Sequence, residues 1–206
     1  MYTCVNHPLV QHKLSILRDS ATGGKLFREL ASEITMFLAY EAFKDAETVE
    51  CKVETPMETA TCRRLKHDIV AIPILRAGIG MLDGFCAMIP SIRIGFIGLY
   101  RDHSTAIPIS YYAKLPEPSE STTAVVVDPM LATGGSAADA IDTVKKRGYK
   151  HVIFLCIVSC PTGIETLQGR HPDVPIFTAA VDRELNENKY ILPGLGDAGD
   201  RLFGTR

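Results

Sequence analysis

The chain of 206 residues is long enough for one domain with a sizeable apolar core, and 46% hydrophobic and 22% charged residues are typical of a globular protein. We therefore expect residues 1–206 to form a single domain. A net charge of −2 and a pI near 6.3 give no electrostatic reason to expect nucleic acid or a membrane surface as the main partner. No signal peptide or bilayer-spanning run is readable, which favours a cytoplasmic location.

The first predicted elements are a helix over residues 24–46 and a strand over residues 48–55. The helix has Ser20 or Thr22 available as its N-cap. The strand alternates apolar and polar residues, as half-buried strands do. Apolar residues recur at helical spacing at Leu26, Leu30, Ile34, Phe37, Leu38 and Ala42, and one strand face carries Val49, Cys51 and Val53.

The rest of the chain alternates short apolar runs with helical stretches. The runs are rich in Val and Ile and almost continuously apolar, as in strands covered on both faces of a parallel sheet. This order predicts an α/β fold with an open, mostly parallel sheet, flanking helices and ligands at the carboxyl ends of the strands. The predicted strands are residues 68–74, 92–99, 123–127, 152–158 and 174–181, and the predicted helices are residues 79–88, 136–147 and 164–168.

Two further features concern the edges and the core of this sheet. Residues 107–115 break the alternation and predict a projecting β-arm, a hairpin that extends over the site or towards a partner subunit. Cysteines lack the paired spacing of a zinc site, and Cys156 and Cys160, inside an apolar run, are expected to be core thiols.

The loop after the predicted strand 123–127 carries the strongest chemical signal. The strand delivers Asp128, and a turn containing Thr133, Gly134, Gly135 and Ser136 then opens a helix. Such a turn points backbone N–H groups and hydroxyls at an anion, while an acid beside it can accept hydrogen bonds from sugar hydroxyls. From these residues alone, a capped helix start without a ligand is an equally good interpretation. The spacing fits neither a Walker loop nor a GxGxxG dinucleotide loop.

Taken whole, residues 124–136 resemble the signature of type I phosphoribosyltransferases. The resemblance implies that the loop holds the 5'-phosphate of 5-phosphoribosyl diphosphate (PRPP) and that the acid holds its ribose hydroxyls. Many members have two adjacent acids, whereas Asp-Pro-Met here is similar to the uracil phosphoribosyltransferase family. The implied PRPP-binding residues are Asp128, Pro129, Met130, Leu131, Ala132, Thr133, Gly134, Gly135 and Ser136.

Two arginines at strand ends match family residues that contact the diphosphate. Arg76 lies in Pro-Ile-Leu-Arg-Ala-Gly-Ile-Gly-Met, residues 73–81, and guanidinium groups pair with phosphate oxygens in a bidentate way. By itself, Arg76 also fits a surface residue before a helix. The family's matching loop often contains a non-proline cis peptide. Arg101 ends the next strand, and residues 111–116, Tyr-Tyr-Ala-Lys-Leu-Pro, resemble the family's arm without an assigned catalytic role.

The C-terminal residues 190–201, Tyr-Ile-Leu-Pro-Gly-Leu-Gly-Asp-Ala-Gly-Asp-Arg, predict a shaped loop rather than a helix or strand because glycines recur closely. They resemble the hood loop that forms the base pocket of the uracil phosphoribosyltransferase family. Uracil has two carbonyl acceptors and one N3–H donor, so peptide N–H and C=O groups can form hydrogen bonds with all three. The implied uracil-binding residues are Ile191, Gly196, Asp197 and Ala198, with Asp197 also near PRPP and Asp200 a candidate acid near a metal.

The resemblance implies a reaction of uracil with PRPP that gives UMP and diphosphate. Mg²⁺ would be bound mainly through PRPP, no covalent nucleophile would be needed, and the implied catalytic residues are Arg76, Arg101, Asp128 and Asp197. Members assemble as homodimers or homotetramers, and some are activated by GTP, for which no residue is assigned here.

Two alternatives stay open at the level of sequence. A phosphoribosyltransferase for hypoxanthine or orotate would share the phosphate loop but not the C-terminal stretch. A non-enzymatic RNA-binding regulator on the same fold would need a basic face, which the mild net negative charge does not favour.

Overall fold

The computed structural model describes residues 1–101 and 108–205, with the side chains of residues 100, 101 and 108–110 outside the description. The strands are β1 Tyr2–Cys4, β2 Thr48–Glu54, β3 Thr59–Leu65, β4 Ile69–Leu75, β5 Arg93–Ile94, β6 Phe96–Arg101, β7 Pro108–Lys114, β8 Thr123–Val127, β9 Met130–Leu131, β10 His151–Ser159, β11 Ile176–Val181, β12 Glu184–Leu185 and β13 Ile191–Leu192. The helices are α1 Pro8–Arg18, α2 Gly24–Ala42, α3 Leu82–Met88, α4 Gly135–Lys146, α5 Pro161–Arg170 and α6 Ala198–Phe203.

The main sheet has the strand order β1-β11-β10-β8-β4-β6-β7, with the short β5 and β9 paired to β4 and β10. Every pairing in it is parallel except that of β6 with β7. The predicted open, mostly parallel sheet is therefore confirmed. In register, Val127 at the end of β8 pairs with Pro73 of β4 and Leu155 of β10, so the loops after these strands leave the same edge.

Helices cover both faces of this sheet, which explains the continuously apolar strands. On β8, Val125 and Val127 face a core formed with α1, α2, α3 and α6. Ala124 and Val126 face a second core formed with α4 and α5. No helix among the described residues is long and apolar enough to cross a membrane.

The N-terminal helices differ from the prediction. Helix α1 was not predicted; Pro8 occupies its first turn, and His7 caps it by accepting a hydrogen bond from Leu9 N at 3.2 Å. The predicted caps of α2 are wrong because Gly23 occupies that position without a side-chain bond. Thr22 Oγ1 instead donates to a carbonyl at the end of α1, that of Ile16, at 2.6 Å.

Two other elements are interrupted relative to the prediction. The predicted strand 92–99 is divided at Gly95, whose N–H donates to Ala71 O at 2.9 Å between β5 and β6. The predicted helix 79–88 begins as a 3₁₀ turn, Ala77–Met81, that continues into α3.

The hairpins are arranged differently from the predicted arm. Strand β7 is an antiparallel edge strand of the main sheet, and the connection before it, residues 102–107, lies outside the described residues. A separate two-stranded hairpin is instead formed by β2 and β3. Its second strand was not predicted, because residues 59–65 are largely exposed and carry two arginines in place of an apolar face.

Candidate active site

The predicted phosphate loop, residues 128–136 and called the phosphate loop below, leaves the centre of the sheet after β8. Asp128 N donates to Leu155 O at 3.2 Å, and Asp128 Oδ1 accepts a hydrogen bond from Met130 N at 3.3 Å. Pro129 and Leu131 are buried, while Met130 is half-buried. The loop therefore rests on the sheet through alternate residues and presents the others outward.

The turn that opens α4 has the geometry expected of an anion cradle. Gly134 has φ +83°, a conformation that glycine adopts without strain, and α4 begins at the next residue, Gly135. A Cβ on Gly134 would lie 2.7 Å from Gly163 O of α5, so neighbouring backbone also excludes a side chain there. The N–H groups of the first turn of this 12-residue helix have no partners within the helix.

Helix α5 supports the phosphate loop from below. A Cβ on Gly163 would lie 2.4 Å from Leu131 O and 2.5 Å from Ala132 O, which places backbone against backbone. Cys160, at the N-terminus of α5, is buried, and its thiol donates to Ala132 O at 3.1 Å. Cys156 and Cys160 are both buried, which confirms their predicted place in the core. Burial raises the pKa of the Cys156 thiol to about 12.

The loop after β4 brings Arg76 to the same edge. The Leu75–Arg76 peptide is cis, as the family resemblance implied. The Arg76 side chain is 61% exposed, and its Nη2 lies 4.0 Å from Asp200 Oδ1. A Cβ on Gly78 would lie 2.6 Å from Val127 O, so this loop packs directly on the end of β8. Arg101 ends β6, but its side chain lies outside the described residues.

The C-terminal loop, residues 191–198, is followed by the short helix α6, so the prediction that residues 190–201 contain neither helix nor strand is wrong. Ile191 begins the two-residue strand β13, which pairs with β12. Asp197 caps α6 and accepts a hydrogen bond from Asp200 N at 2.9 Å. This cap and the glycine-free segment from Asp200 to Phe203 allow one helical turn. The prediction missed this turn because it was based on the close spacing of the glycines before it.

The phosphate loop and the C-terminal loop meet across a cleft of about 360 Å³. Its lining includes Asp128, Met130 and Ala132 from the first loop and four residues predicted to bind uracil from the second. Pro129, Leu131 and the turn 133–136 are outside the lining, as are Arg76 and Asp200. The full lining is Ala77, Asp128, Met130, Ala132, Asn188, Lys189, Tyr190, Ile191, Gly196, Asp197, Ala198 and Gly199.

Five lining residues were not among the predicted site residues: Ala77, Gly199, Asn188, Lys189 and Tyr190. The last three belong to the turn between β12 and β13, where Asn186 Oδ1 accepts hydrogen bonds from the N–H groups of Asn188 at 3.0 Å and Tyr190 at 2.9 Å. Lys189 has φ +66°. The Asn-Glu-Asn pattern before Ile191 was the available signal, since asparagine side chains favour such turns.

Two carboxylates are the candidate metal ligands in the lining of the cleft. Among residues 1–101 and 108–205, no group of three or more His, Cys, Asp or Glu side chains is arranged to hold a metal ion. Asp128 and Asp197 both line the cleft and supply carboxylate oxygens. Such oxygens suit a hard cation whose remaining ligands are provided by a substrate.

The sheet order, the helix-opening turn and the cleft at the strand ends define a protein of the phosphoribosyltransferase fold. Adenine phosphoribosyl transferase from Trypanosoma brucei has this fold, with a TM-score of 0.58 at 12% identity over 95% of this chain and 88% of that one. A structure of protein AQ2163 from Aquifex aeolicus has a TM-score of 0.95 at 35% identity, covering 100% of this chain and 99% of that one.

Sequence comparison identifies the family of the chain among proteins with this fold. The profile of uracil phosphoribosyltransferase matches residues 4–205. Uracil phosphoribosyltransferase of Acholeplasma laidlawii is 55% identical over 202 residues, or 98% of this chain and 97% of the relative. The chain belongs to the uracil phosphoribosyltransferase family.

Proposed function

We propose that this protein transfers the 5-phosphoribosyl group of PRPP to N1 of uracil, giving UMP and diphosphate. The observation that carries the proposal is the shared cleft: Asp128 of the phosphate loop and Asp197 of the C-terminal loop line one cavity. A transfer between two substrates needs both held at one place in fixed orientation, and such positioning can lower a barrier by about 7–11 kcal/mol.

The phosphate loop is the proposed donor site. The N-terminus of α4 and the hydroxyls of Thr133 and Ser136 would hold the 5'-phosphate, and Asp128 would accept hydrogen bonds from the ribose hydroxyls. Helix N-termini favour anions because their N–H groups and the helix dipole point at the ligand. Because Asp128 lies in the lining while the turn lies outside it, the ribose would extend from the loop into the cleft.

The C-terminal loop is the proposed acceptor site. Ile191, Gly196, Asp197 and Ala198 would read the two carbonyl oxygens and the N3–H of uracil mainly through peptide groups. Ile191 and Ala198 are 3% exposed, so their peptides are backed by the core rather than by solvent. A base read by rigid main chain is held in one orientation, as in-line attack by N1 requires.

The leaving diphosphate requires positive charge where negative charge develops. Arg76 and Arg101 are proposed to supply it, since donors placed in advance around a leaving group stabilise the transition state. Bound Mg²⁺ would neutralise charge on the diphosphate; it would be held mainly by PRPP oxygens, with Asp128, Asp197 or Asp200 as the protein carboxylates nearby. Assembly into homodimers or homotetramers and activation by GTP belong to the same proposal by family resemblance alone.

A product assay tests the proposal. The purified protein is incubated with PRPP and Mg²⁺ and with uracil, cytosine, hypoxanthine or orotate in separate reactions, and nucleotide products are separated by chromatography. We expect UMP and diphosphate in equal amounts from uracil and no nucleotide from the other three bases. A nucleotide from hypoxanthine or orotate but none from uracil would reject the assignment of the base.

A further inference from the structure

A largely buried ion pair lies behind the C-terminal loop, outside the lining of the cleft. Arg18 is the last residue of α1, and Asp182 directly follows β11. The guanidinium and carboxylate form two hydrogen bonds, Nη1 to Oδ2 and Nη2 to Oδ1, each 2.7 Å long. The Asp182 side chain is 7% exposed and that of Arg18 is 22% exposed. The pair thus joins two rigid elements in a bidentate geometry.

Both polar backbone groups of Gly194 are bonded to this pair. Gly194 N donates to Asp182 Oδ2 at 2.9 Å, and Arg18 Nη1 donates to Gly194 O at 2.6 Å. These two bonds fix the orientation of Gly194 relative to the end of β11. The orientation is transmitted along the loop, because Gly194 has φ +61° and folds so closely on Ile191 that a Cβ would lie 2.2 Å from Ile191 O.

We propose that Arg18 and Asp182 are positioning residues that hold the C-terminal loop in the conformation that binds the base. The inference rests on the proposed function, since it takes the peptide groups of this loop as the uracil contacts. A main-chain site has no side-chain rotamers with which to adjust, so its geometry depends on what holds the backbone. Misplacement by about 1 Å, even from far away, can reduce a rate on the order of 10²-fold.

A purely stabilising role is the alternative. Buried ion pairs contribute little net stability, because the cost of desolvating both charges offsets their attraction. The two roles separate in kinetics: a destabilised protein loses active molecules and hence kcat, whereas a displaced base loop raises the KM for uracil. The phosphate loop is held by β10 instead, for example through Asp128 N to Leu155 O at 3.2 Å, so an unchanged KM for PRPP would show that the effect is confined to the base loop.

Asp182→Asn is the primary test. The amide has the shape of the carboxylate but places an NH₂ group where one oxygen now accepts, so a donor would face either Arg18 Nη2 or the two donors at Oδ2, Arg18 Nη1 and Gly194 N. We expect the KM for uracil to rise by about 10- to 100-fold while the KM for PRPP is unchanged. Arg18→Lys keeps the positive charge but loses the bidentate geometry of the guanidinium, so it should give a smaller rise in the KM for uracil.

Glu33→Gln is the matched control, because it breaks another ion pair of α1, Lys13 with Glu33 at 2.6 Å, that does not touch the C-terminal loop. Both KM values should match those of the parent. Unchanged KM for uracil in Asp182→Asn and Arg18→Lys, with only melting temperature or kcat reduced, would overturn the inference. If Asp182→Asn does not fold, Arg18→Lys alone decides. A parent protein that forms no UMP would reject the proposed function instead, so the two failures are distinguishable.

Discussion

The phosphate loop is held mainly by its own main chain, inside the sheet. Pro129 O accepts hydrogen bonds from the N–H groups of Ile157 and Val158, each at 3.0 Å, and Leu131 O accepts one from Cys160 N at 3.3 Å. These partners belong to the neighbouring strand β10 and the start of α5. Side chains add to these bonds, as the Cys160 thiol does at Ala132 O, but the glycines and the buried strand already mark the loop in the sequence.

The C-terminal loop is held mainly by side chains from outside it, of which Arg18 comes from the other end of the chain. The Arg18–Asp182 pair holds its middle, and Arg201 Nη1 donates to Leu195 O at 2.9 Å. The Arg201 guanidinium also lies 4.4 Å from the centre of the Phe27 ring, and burial lowers the pKa of Arg201. The comparison teaches that two loops facing one cleft can be held by different means, and that the sequence reveals the loop whose anchors follow a local pattern more readily than the loop with a distant anchor.

Ala198→Trp gives the largest expected effect on the acceptor side. Ala198 is 3% exposed and lines the cleft, so an indole would fill the space proposed for uracil. We expect UMP formation from uracil to be abolished, measured in the same product assay, with the melting temperature recorded as a check on folding. Retained uracil turnover would contradict the placement of the base pocket.

Asp128→Asn gives the next largest effect, on the donor side. The amide keeps the size of the side chain but removes the charge that would accept bonds from the ribose hydroxyls. We expect kcat/KM for PRPP to fall by about 10²- to 10³-fold, as when one transition-state hydrogen bond is lost. Thermal unfolding should change far less than activity. Near-normal turnover would exclude the proposed ribose contact.

Gly163→Ala tests the support beneath the phosphate loop and has the smallest expected effect. The added methyl would lie 2.4 Å from Leu131 O, and relieving such overlap costs typically about 1–3 kcal/mol. We expect a several-fold higher KM for PRPP and an unchanged KM for uracil. Gly169→Ala, in the same helix with nothing within 4 Å of the added Cβ, is the matched control and should leave both constants as they are. Equal effects of the two substitutions would show that α5 does not position the loop.

Local patterns in the sequence were sufficient for the parallel core and for the turn that opens α4, whereas the phosphate role of that turn rests on the family resemblance. Strand β8 was predicted with its observed bounds, Thr123–Val127, because both of its faces are covered and apolar. Helix α4 begins at Gly135, one residue before the predicted start. In both places the residues that determine the structure are adjacent along the chain.

Tertiary contacts explain what the sequence did not reveal. Helix α1 was missed although Val10, Leu14 and Leu17 share one buried face, since the other apolar residues of its eleven, Leu9 and Ile16, lie off that face and blur the helical pattern. The anchors of the C-terminal loop were missed for a stronger reason. Arg18 and Asp182 are 164 positions apart, and no local pattern marks them as partners.

The division of the substrates between the two loops is tested most directly by calorimetric titration of Mg²⁺–PRPP, without uracil, into the parent protein, Ala198→Trp and Asp128→Asn. The account predicts that Ala198→Trp binds PRPP as the parent does, whereas Asp128→Asn binds it at least about tenfold more weakly, the loss expected for one hydrogen bond to a charged group. Parent-like binding by Asp128→Asn, or loss of binding by Ala198→Trp, would contradict it.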